Sequence, residues 1–386
     1  MPRTEPGTGP EIGVVDSLAA VDRAQWDALF AETLEGYDYL LAVERAGLEG
    51  FRWRYVLASE DGVLIAAVPA FLTDYVVETT LTGPGKRGIE AVRRVLPGFL
   101  KLGLACLGSP CTTTASLGFA PQIAQADRPA LLCALLAAFE ADARANGCGL
   151  FASKDVVADD TPLWDAAARP LGYRPMASLP IAGLDIDFPD MDAYFARLSY
   201  TARKDMRRKL RVLDGLRIEV RADAEEFADR LMALYEQTRA RADMSFEHLT
   251  TGYFLGVPRQ MPGRAFWVLY FEGEDLLAAN LLVQDETTLL DKYFLMDAAR
   301  GRALNLYFVS WFTNLRLCLE RGLKHYRSGQ AAYENKLRLG SRLTRTSIYF
   351  RHRNPVFNGV MQLFAPLFAA DPQMREAVSE GAGKIG

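Results

Sequence analysis

Eight Lys or Arg residues lie between Lys324 and Arg353, and a single acidic residue, Glu334, lies among them. The whole chain carries a formal net charge of -4, so this concentration of positive charge is local. Guanidinium and ammonium groups bind phosphate and carboxylate oxygens through charge-assisted hydrogen bonds. The segment therefore predicts a docking site for an anion, with Lys336 and Arg338 in the run YENKLRLG as its foremost candidates.

A second candidate anion site follows the apolar run LLDKYFLM, where the turn DAARGRA leads into a helical pattern. A strand that feeds a small-residue turn at a helix N-terminus can bind phosphate through the backbone N–H groups of that turn. Gly301 permits close approach of the backbone, and the flanking Arg300 and Arg302 can grip phosphate oxygens. We expect this turn to bind a phosphate group.

A third basic group lies on a predicted helix, where Arg203, Arg207, Arg208 and Arg211 recur at spacings of three and four residues. Such spacing places them on one helical face, which could bind phosphates, a lipid headgroup or an anionic membrane. Charge runs on helices are equally typical of a solvated face. Both interpretations stay open from the sequence.

Length and composition bound the classes of protein that these residues can serve. A chain of 386 residues, half of them hydrophobic, predicts two domains. Residues 1–185 hold 15 basic and 23 acidic side chains, and residues 186–386 hold 29 and 25, so the anion site belongs to the second half. The acidic pI of about 5.6 argues against general nucleic-acid binding, which needs a basic face over a whole domain.

Several catalytic classes leave no signature in the sequence. The five cysteines have no CxxC spacing, so we expect buried thiols rather than a zinc site or disulfides. There is no nucleophile elbow, metal-ligand cluster or Walker-type loop. Hydrolase, metalloenzyme and nucleotidase functions are therefore not indicated.

The second half predicts the elements that would position the basic residues. Leu304 to Leu319 carries an aromatic stripe at helical spacing, which indicates a buried helix that Gly322 ends. The fold class is α+β, a mixed and mostly antiparallel sheet flanked by helices. Before the stripe, we expect strands at 216–221, 265–271, 276–284 and 287–296, a helix at 225–240, and a short helix or loop at 253–260.

The same unit occurs twice in the sequence. The hairpin YVLASEDGVLIAAVPAFL from Tyr55 matches WVLYFEGEDLLAANLLVQ from Trp267, an offset of 212 residues. A helix and strand around Gly147 match those around Gly322, an offset of 175. We therefore predict a disordered leader (1–10), a first domain (11–185) with an apolar insertion near 76–125, and a second domain (186–386).

Two apolar segments, Gly88 to Leu107 and Pro355 to Ala370, are flanked or interrupted by basic residues. Each could lie in a membrane interface, or it could be a helix packed on the core of the protein. No signal peptide or membrane span is evident. We expect a cytoplasmic protein, with contact at the inner face of the cytoplasmic membrane as an open alternative.

The order of these elements resembles the GNAT acyltransferase superfamily, whose fourth strand ends in a Gln/Arg-x-x-Gly-x-Gly/Ala turn that binds the pyrophosphate of coenzyme A. Gly301 and Ala303 match this pattern, whereas Ala298 stands at its first position. The helix LSYTARKDMRRKLRVL and the run GQAAYENKLRLG together resemble the Fem-type, FemAB-like branch of tandem GNAT proteins. The resemblance covers most of the chain and is strongest from about residue 190 to 353.

This resemblance implies that an amine attacks a thioester, with acyl-CoA as cosubstrate and no bound cofactor. The attacking amine must lose its proton, and the carbonyl must be polarised. GNAT-like sites often use a Tyr after the fifth strand as acid, a place that Tyr333 occupies here, and a structural hydroxyl is the alternative. The other candidate catalytic residues are Glu247, His248, Asp291, Tyr293 and Glu334.

The apolar segments, with the compact tandem fold, resemble the branch that acylates lipid-like amines, of which bacterial ceramide synthase is a member. The leading hypothesis is an N-acyltransferase acting on an amphiphilic amine, with a sphingoid base as the best specific acceptor. One alternative is a Fem-type aminoacyl-tRNA-dependent transferase acting on a cell-wall precursor. Another is a non-catalytic GNAT-fold binding protein, which the departure at Ala298 keeps open.

Overall fold

The computed structural model describes residues 9–31, 33–76, 101–241 and 246–368, which form two compact units. Unit 1 comprises the described residues up to Glu44, residues Glu49–Ser178 and those from Thr346 onwards. Unit 2 comprises Arg45–Leu48 and Leu179–Arg345. Unit 1 begins with β1 (Glu11–Val15), α1 (Arg23–Leu29), α2 (Tyr37–Arg45), β2 (Phe51–Glu60), β3 (Val63–Val76), β4 (Lys101–Leu107), β5 (Gly118–Phe119), α3 (Arg128–Ala145), β6 (Leu150–Val157), α4 (Thr161–Ala168) and β7 (Arg174–Ala177).

Unit 2 follows along the chain, and two further elements then return to unit 1. The elements of unit 2 are β8 (Ile181–Asp185), α5 (Met191–Arg197), α6 (Tyr200–Lys209), β9 (Arg217–Arg221), α7 (Ala228–Arg239), α8 (Thr251–Gln260), β10 (Ala265–Glu272), β11 (Asp275–Gln284), β12 (Thr288–Met296), α9 (Arg300–Ala303), α10 (Leu306–Arg321), β13 (His325–Arg327), α11 (Tyr333–Arg338) and β14 (Arg342–Thr344). The returning elements are β15 (Thr346–His352) and α12 (Pro355–Phe368).

Each unit is built on a mixed sheet with helices packed on it. Within the described ranges, the sheet of unit 1 has the order β1-β2-β3-β4-β6-β15-β7, with β5 paired to β3. The sheet of unit 2 has the order β14-β8-β13-β12-β11-β10-β9. In each sheet one central pair is parallel, β4 with β6 and β12 with β13, and the other pairs are antiparallel. The predicted mixed, mostly antiparallel fold class is confirmed.

The repeat is confirmed by two irregularities that recur at the predicted offsets. A β-bulge interrupts the β2–β3 hairpin after Ala58 and the β10–β11 hairpin after Tyr270, which lie 212 residues apart. Helices α3 and α10 are each followed by a glycine of positive φ, Gly147 and Gly322. Only a residue without a Cβ adopts this conformation at little cost, so both helices end where the sequence predicts.

The predicted insertion and domain boundary are wrong in part. Residues 101–107 form β4, a buried central strand equivalent to β12, so they belong to the repeated unit and do not lie in a membrane interface. The rest of that apolar segment, residues 88–100, lies outside the described residues, as does most of the predicted leader. β8 precedes the predicted boundary at residue 185 yet joins the sheet of unit 2, and β15 joins the sheet of unit 1. Strand exchange of this kind has no local sequence signal, because both strands are short and generic.

Aromatic and aliphatic side chains fill the core of unit 2, as the periodicity of α10 predicts. Trp311, Phe312 and Leu315 are buried against the sheet. The start of helix α6 is fixed by a nearby residue, because the Ser199 hydroxyl caps the helix by accepting a hydrogen bond from the Ala202 N–H at 3.2 Å. All five cysteines are unpaired and all but Cys133 are buried, which agrees with the predicted role as small apolar side chains.

Candidate active site

The parallel strands of unit 2 separate at Asp291. β12 and β13 pair only from Thr288 with His325 to Leu290 with Arg327. A β-bulge follows at once, because Leu282 of β11 pairs with Asp291 and the next residue, Leu281, pairs with Tyr293. One residue of β12 is therefore extra, which breaks the alternation of side chains along the strand. Such an opening exposes backbone and side chains at the centre of a sheet.

The carboxylate of Asp291 is held by groups from two other elements. The Tyr326 hydroxyl donates to Asp291 Oδ2 at 2.9 Å, and Asn314 Nδ2 lies 3.3 Å from the same oxygen. Asn314 Nδ2 also donates to the Tyr326 oxygen at 2.9 Å. Asp291 keeps partial access to solvent, although protein atoms surround its carboxylate. β12, α10 and β13 thus converge on one acid.

Burial raises the pKa of Asp291 to about 6, because the ionised form loses hydration. The hydrogen bond from Tyr326 and the positive charge of Lys336 act in the opposite direction and lower the pKa. A carboxylate that titrates near neutral pH is mostly ionised there and can still accept a proton. These are the properties of a general base.

Lys336 lies in α11 and is only 4% exposed. Its ammonium donates to the carbonyl oxygen of Ser328 and, at 3.2 Å, to that of Gly329. Burial lowers the pKa of Lys336 to about 8, while the charge of Asp291 raises it. The turn that Lys336 holds is also adjacent to Asp291, because a Cβ on Gly329 would lie 3.9 Å from the Asp291 carbonyl oxygen. The two ionisable groups therefore share one site.

Buried polar atoms without partners surround this pair. Among the described residues, eight buried side-chain atoms of unit 2 lack a hydrogen bond, and five of them belong to this cluster: Tyr270 Oη, Tyr307 Oη, Asn314 Oδ1 and both amide atoms of Asn280. Burial raises the pKa of both tyrosines and the charge of Asp291 raises it further, while Asn280 lowers the pKa of Asp291. An unsatisfied buried polar group costs about 1–3 kcal/mol, so a cluster of them is typical of a site that a ligand completes.

Sequence reasoning named Asp291 as a catalytic candidate and Lys336 as an anion-binding one, and it missed the residues around them. Asn280 interrupts the run LLAANLLV, and Asn314 interrupts the apolar face of WFTNLRLCL. A polar side chain in a buried run must find a partner or serve a site, because burying it alone is costly. That signal was available in the sequence for both asparagines.

The predicted phosphate turn is closed by its own hydrogen bonds. The N–H groups of Ala299 and Arg300 donate to Asp297 Oδ1 at 3.2 and 3.0 Å, and that of Ala298 donates to Gln237 Oε1 at 2.9 Å. These amides are therefore occupied within the protein. In the short α9 that follows, the N–H of Gly301 donates to the carbonyl oxygen of Asp297 and that of Ala303 to the carbonyl oxygen of Ala299.

Gly301 and Arg300 have structural roles that the sequence did not reveal. A Cβ on Gly301 would lie 2.2 Å from Met296 Cγ, so glycine is required for packing. The Arg300 guanidinium forms ion pairs with Glu272 and Asp275 at 2.6 and 2.7 Å. Neither residue is presented to a phosphate group.

Positive charge beside the turn comes instead from Arg302 and from Arg241, which the sequence analysis did not single out. Burial and the proximity of Arg302 lower the pKa of Arg241. Arg241 donates to the carbonyl oxygen of Met296 at 3.2 Å, but its buried Nη1 lacks a partner in the part of the chain that the structure describes. Two like charges held together in this way favour an anion between or beside them.

Tyr333, His248 and Tyr293, three of the other predicted candidates, each contact a residue other than Asp291. Tyr333 donates to the carbonyl oxygen of Pro180 at 2.7 Å, next to the start of β8. His248 is 58% exposed, lies 2.6 Å from Glu236 and stacks on Tyr235. Tyr293 packs edge-on against Tyr235 too, so it faces a different cluster from that of Asp291. Glu247 adjoins His248 in the sequence, and Glu334 lies in the first turn of α11.

The predicted cationic face of α6 is partly neutralised. Arg208 pairs with Asp205 at 2.8 Å, and Arg338 of α11 pairs with the same carboxylate at 3.0 Å. Arg207 lies over the ring of Phe195, and Arg203 lies 3.5 Å from the Phe195 carbonyl oxygen. The arginines of α6 therefore bind residues of unit 2.

The equivalent opening in unit 1 lacks the acid. There the parallel pair β4–β6 ends at Leu107 with Ser153, and the next residue is Gly108. The only candidate active site of this kind among the described residues is therefore that of unit 2. Across those same residues, no group of three or more His, Cys, Asp or Glu side chains could hold a metal ion. Nor is any described helix long and apolar enough to cross a membrane.

Comparisons with known proteins agree with this fold. The FemAB-like family model, described as peptidoglycan biosynthesis/recognition, matches residues 183–381. Three solved structures, each 14% identical, share the fold: FemX (82% of this chain and 91% of that one, TM-score 0.53), a tandem GNAT protein from the clavulanic acid biosynthesis pathway (89% and 99%, 0.52) and L-PGS from Bacillus licheniformis (91% and 98%, 0.52).

A curated protein of Mycobacterium tuberculosis, named "Putative 8-amino-7-oxononanoate synthase 2", is 23% identical over 326 residues. That match covers 82% of this chain and 42% of the relative, so the chain spans less than half the length of the curated protein. Family and fold together indicate a transferase of the Fem and GNAT type.

Proposed function

Because the chain belongs to the FemAB-like family, we propose that it is an N-acyltransferase that moves an acyl group from a coenzyme A thioester to the amine of an amphiphilic acceptor. The observation that carries the proposal is the electrostatic coupling of Asp291 and Lys336 at the opening between β12 and β13. An acid with a raised pKa beside a lysine with a lowered pKa supplies both proton transfers that aminolysis of a thioester requires.

Atoms and protons balance in the proposed aminolysis of the thioester. The neutral amine attacks the thioester carbonyl carbon, so a C–N bond forms and the C–S bond breaks. Asp291 takes the proton that the nitrogen loses, and the departing sulfur gains a proton from the Lys336 ammonium. A net transfer of one proton from the Asp291 carboxyl to the Lys336 amine restores both groups. The thiol of the leaving group has an ordinary pKa of about 8.5, close to that of Lys336.

Arg241 and Arg302 are suited to the phosphates of the donor. They lie beside the turn that follows β12, the strand that carries Asp291. Since the amides of that turn are occupied by Asp297 and Gln237, guanidinium groups take the place of backbone N–H groups in this proposal. This arrangement also accounts for Ala298, whose position needs no side chain when its amide is bonded within the protein.

As the specific acceptor we propose a sphingoid base, a long aliphatic chain with an amine beside a hydroxyl or ketone. Support comes from the name of the curated relative, because 8-amino-7-oxononanoate is itself an aliphatic chain with an amine next to a ketone. The cluster of Tyr270, Tyr307, Asn280 and Asn314 offers donors and acceptors for the polar end of such a molecule. The product would be a ceramide.

The test is an assay of acyl transfer with purified protein. Long-chain and short-chain acyl-CoA are mixed with sphinganine, and thiol release and amide formation are measured by a thiol reagent and mass spectrometry. The matched control acceptor is N-acetylsphinganine, which has the same chain and no amine. We expect amide only with sphinganine. Equal thiol release with either acceptor indicates a thioesterase, and absence of release at every chain length contradicts the proposal.

The family match favours a second candidate, a Fem-type transferase that takes its acyl group from aminoacyl-tRNA. The attack on an ester carbonyl would use the same base, and the ribose hydroxyl would be the leaving group. Aminoacyl-tRNA and a muropeptide acceptor therefore form a parallel arm of the assay. Transfer in that arm alone supports the second candidate. Ligand binding with turnover in neither arm supports a non-catalytic binding protein.

A further inference from the structure

Among the side chains of helix α12 that the structure describes, three apolar ones face solvent and two polar ones face the protein. Three of its side chains, Val356, Phe357 and Leu363, are 72%, 60% and 75% exposed. Its polar side chains point the other way: Asn358 Nδ2 and Gln362 Nε2 both donate to the carbonyl oxygen of Gly172, at 3.3 and 3.4 Å. A surface helix of a globular protein ordinarily does the opposite, packing its apolar face inwards.

Further hydrogen bonds fix the helix in this orientation. The His352 N–H donates to Asn358 Oδ1 at 3.0 Å, and the Val356 N–H donates to Asn354 Oδ1 at 2.9 Å, which caps the helix. Met361 packs against the cluster that contains Phe350. The helix is therefore anchored along its polar side, and exposure of its apolar side is built into unit 1.

The charges near the helix favour an anionic partner for that face. Residues 346–368 contain no Asp or Glu. Arg353, just before the helix, and Arg174, on the adjacent β7, are both exposed. Among the described residues neither arginine forms an ion pair with an acid, whereas Arg351 nearby is paired with Glu140 at 2.7 Å. An apolar helical face flanked by unpaired guanidinium groups is complementary to an anionic lipid surface.

We propose that α12 docks unit 1 on the surface of a phospholipid membrane, with Val356, Phe357 and Leu363 inserted among the lipids and Arg174 and Arg353 at the anionic headgroups. The helix lies in the interface and does not span it. The proposal depends only on α12 and its neighbours in unit 1. Docking and catalysis can therefore fail separately.

The experiment is flotation of the full chain with vesicles made of phosphatidylglycerol and phosphatidylcholine in equal parts, and with vesicles of phosphatidylcholine alone. The variant carries V356S, F357S and L363S together. Exposed side chains contribute little to folding, so its melting temperature should equal that of the parent, and circular dichroism verifies this. The matched control is V63S, which removes an apolar side chain that is 52% exposed elsewhere in unit 1.

We expect the triple variant to bind mixed vesicles at least about 100-fold more weakly, because each inserted side chain contributes roughly tenfold or more. V63S should bind like the parent. R174Q with R353Q should lower binding to mixed vesicles by about fivefold for each charge and leave binding to phosphatidylcholine unchanged. Equal flotation of the parent and the folded triple variant overturns the proposal. So does a stable dimer of the parent in sedimentation velocity that the triple variant abolishes, because a second copy would then cover this face.

Discussion

Replacing Asp291 by Asn tests the proposed mechanism most directly, because it removes the base and keeps the shape of the side chain. The Tyr326 hydroxyl, 2.9 Å from Asp291 Oδ2, and Asn314 Nδ2, 3.3 Å from the same oxygen, can both still donate to the amide oxygen of the variant. We expect kcat/KM for amide formation to fall by about 10²–10⁴-fold, the usual contribution of a general base. The acidic limb of the pH profile, with an apparent pKa near 6, should disappear with it.

Stability should change in the opposite direction from activity. The pKa of Asp291 is about 6 in the folded chain, and its ordinary value is 3.8. At a pH between these two values, the folded state therefore holds a proton that the unfolded state has released. The contribution to stability is fully present below pH about 4 and is lost as pH rises through about 6. At neutral pH the ionised carboxylate therefore destabilises the fold by at most about 3 kcal/mol, an upper bound because Asp291 retains some solvent access.

Asp291→Asn should therefore be at least as stable as the parent at pH 7, by less than this bound because Lys336 loses the charge that faces it. Urea unfolding at pH 4 and pH 7 measures the effect: the parent should lose stability between these values more steeply than the variant. Asp214→Asn, which changes an exposed carboxyl of unit 2, is the control for both measurements. A variant that keeps more than about a tenth of the activity, or that retains the acidic limb, refutes the assignment of Asp291 as base. A variant that unfolds at pH 7 refutes the electrostatic reasoning.

Three further predictions concern the surroundings of this site. Lys336→Met should remove the basic limb of the pH profile near pH 8. It should also move the acidic limb to higher pH, because the charge of Lys336 lowers the pKa of Asp291. An unchanged pH profile would contradict the role of Lys336. Gly301→Ala should lower the free energy of unfolding in urea by about 1–3 kcal/mol, because the added Cβ would overlap the Met296 side chain. The control is Gly256→Ala in α8, which has open space around it and should leave the free energy of unfolding unchanged or raise it. Arg302→Gln should raise KM for acyl-CoA by roughly tenfold, with little change in kcat and with a smaller effect at high salt. Arg316→Gln, at an exposed position, is the control. An equal effect of both substitutions would contradict a role of Arg302 in binding the donor.

Local patterns predicted the elements of unit 2 closely. The strands expected at 265–271, 276–284 and 287–296 are β10, β11 and β12, and Gly322 ends α10. These features depend on residues close together in sequence: alternation for a strand, apolar spacing for a helix, a glycine that can adopt positive φ. The repeat was visible for the same reason, because the hairpins and helix ends keep their local signals in both copies.

The phosphate turn shows why a local pattern alone can mislead. Gly301 between two arginines has the composition of an anion site. However, the first amide of the turn, that of Ala298, donates to Gln237, about sixty residues earlier in the chain. The side chain of Met296 occupies the space that a Cβ on residue 301 would need. Glu272 and Asp275 neutralise Arg300. The amphipathic pattern of α12 was equally ambiguous, since the sequence cannot say which side of the helix faces the protein.

The sequence by itself determined the duplicated mixed-sheet architecture, the location of the basic residues in the second half, and Asp291 and Lys336 as individual candidates. Tertiary structure alone decided that these two residues share a site, because they lie on a strand and a helix that are far apart in sequence. It also decided their protonation behaviour, since the pKa of Asp291 depends on the hydration lost on burial, on the hydrogen bond from Tyr326 and on the charge of Lys336, while Asn314 contacts the same carboxylate oxygen. Those partners meet Asp291 only where β12 and β13 separate, and that separation is a property of the folded sheet.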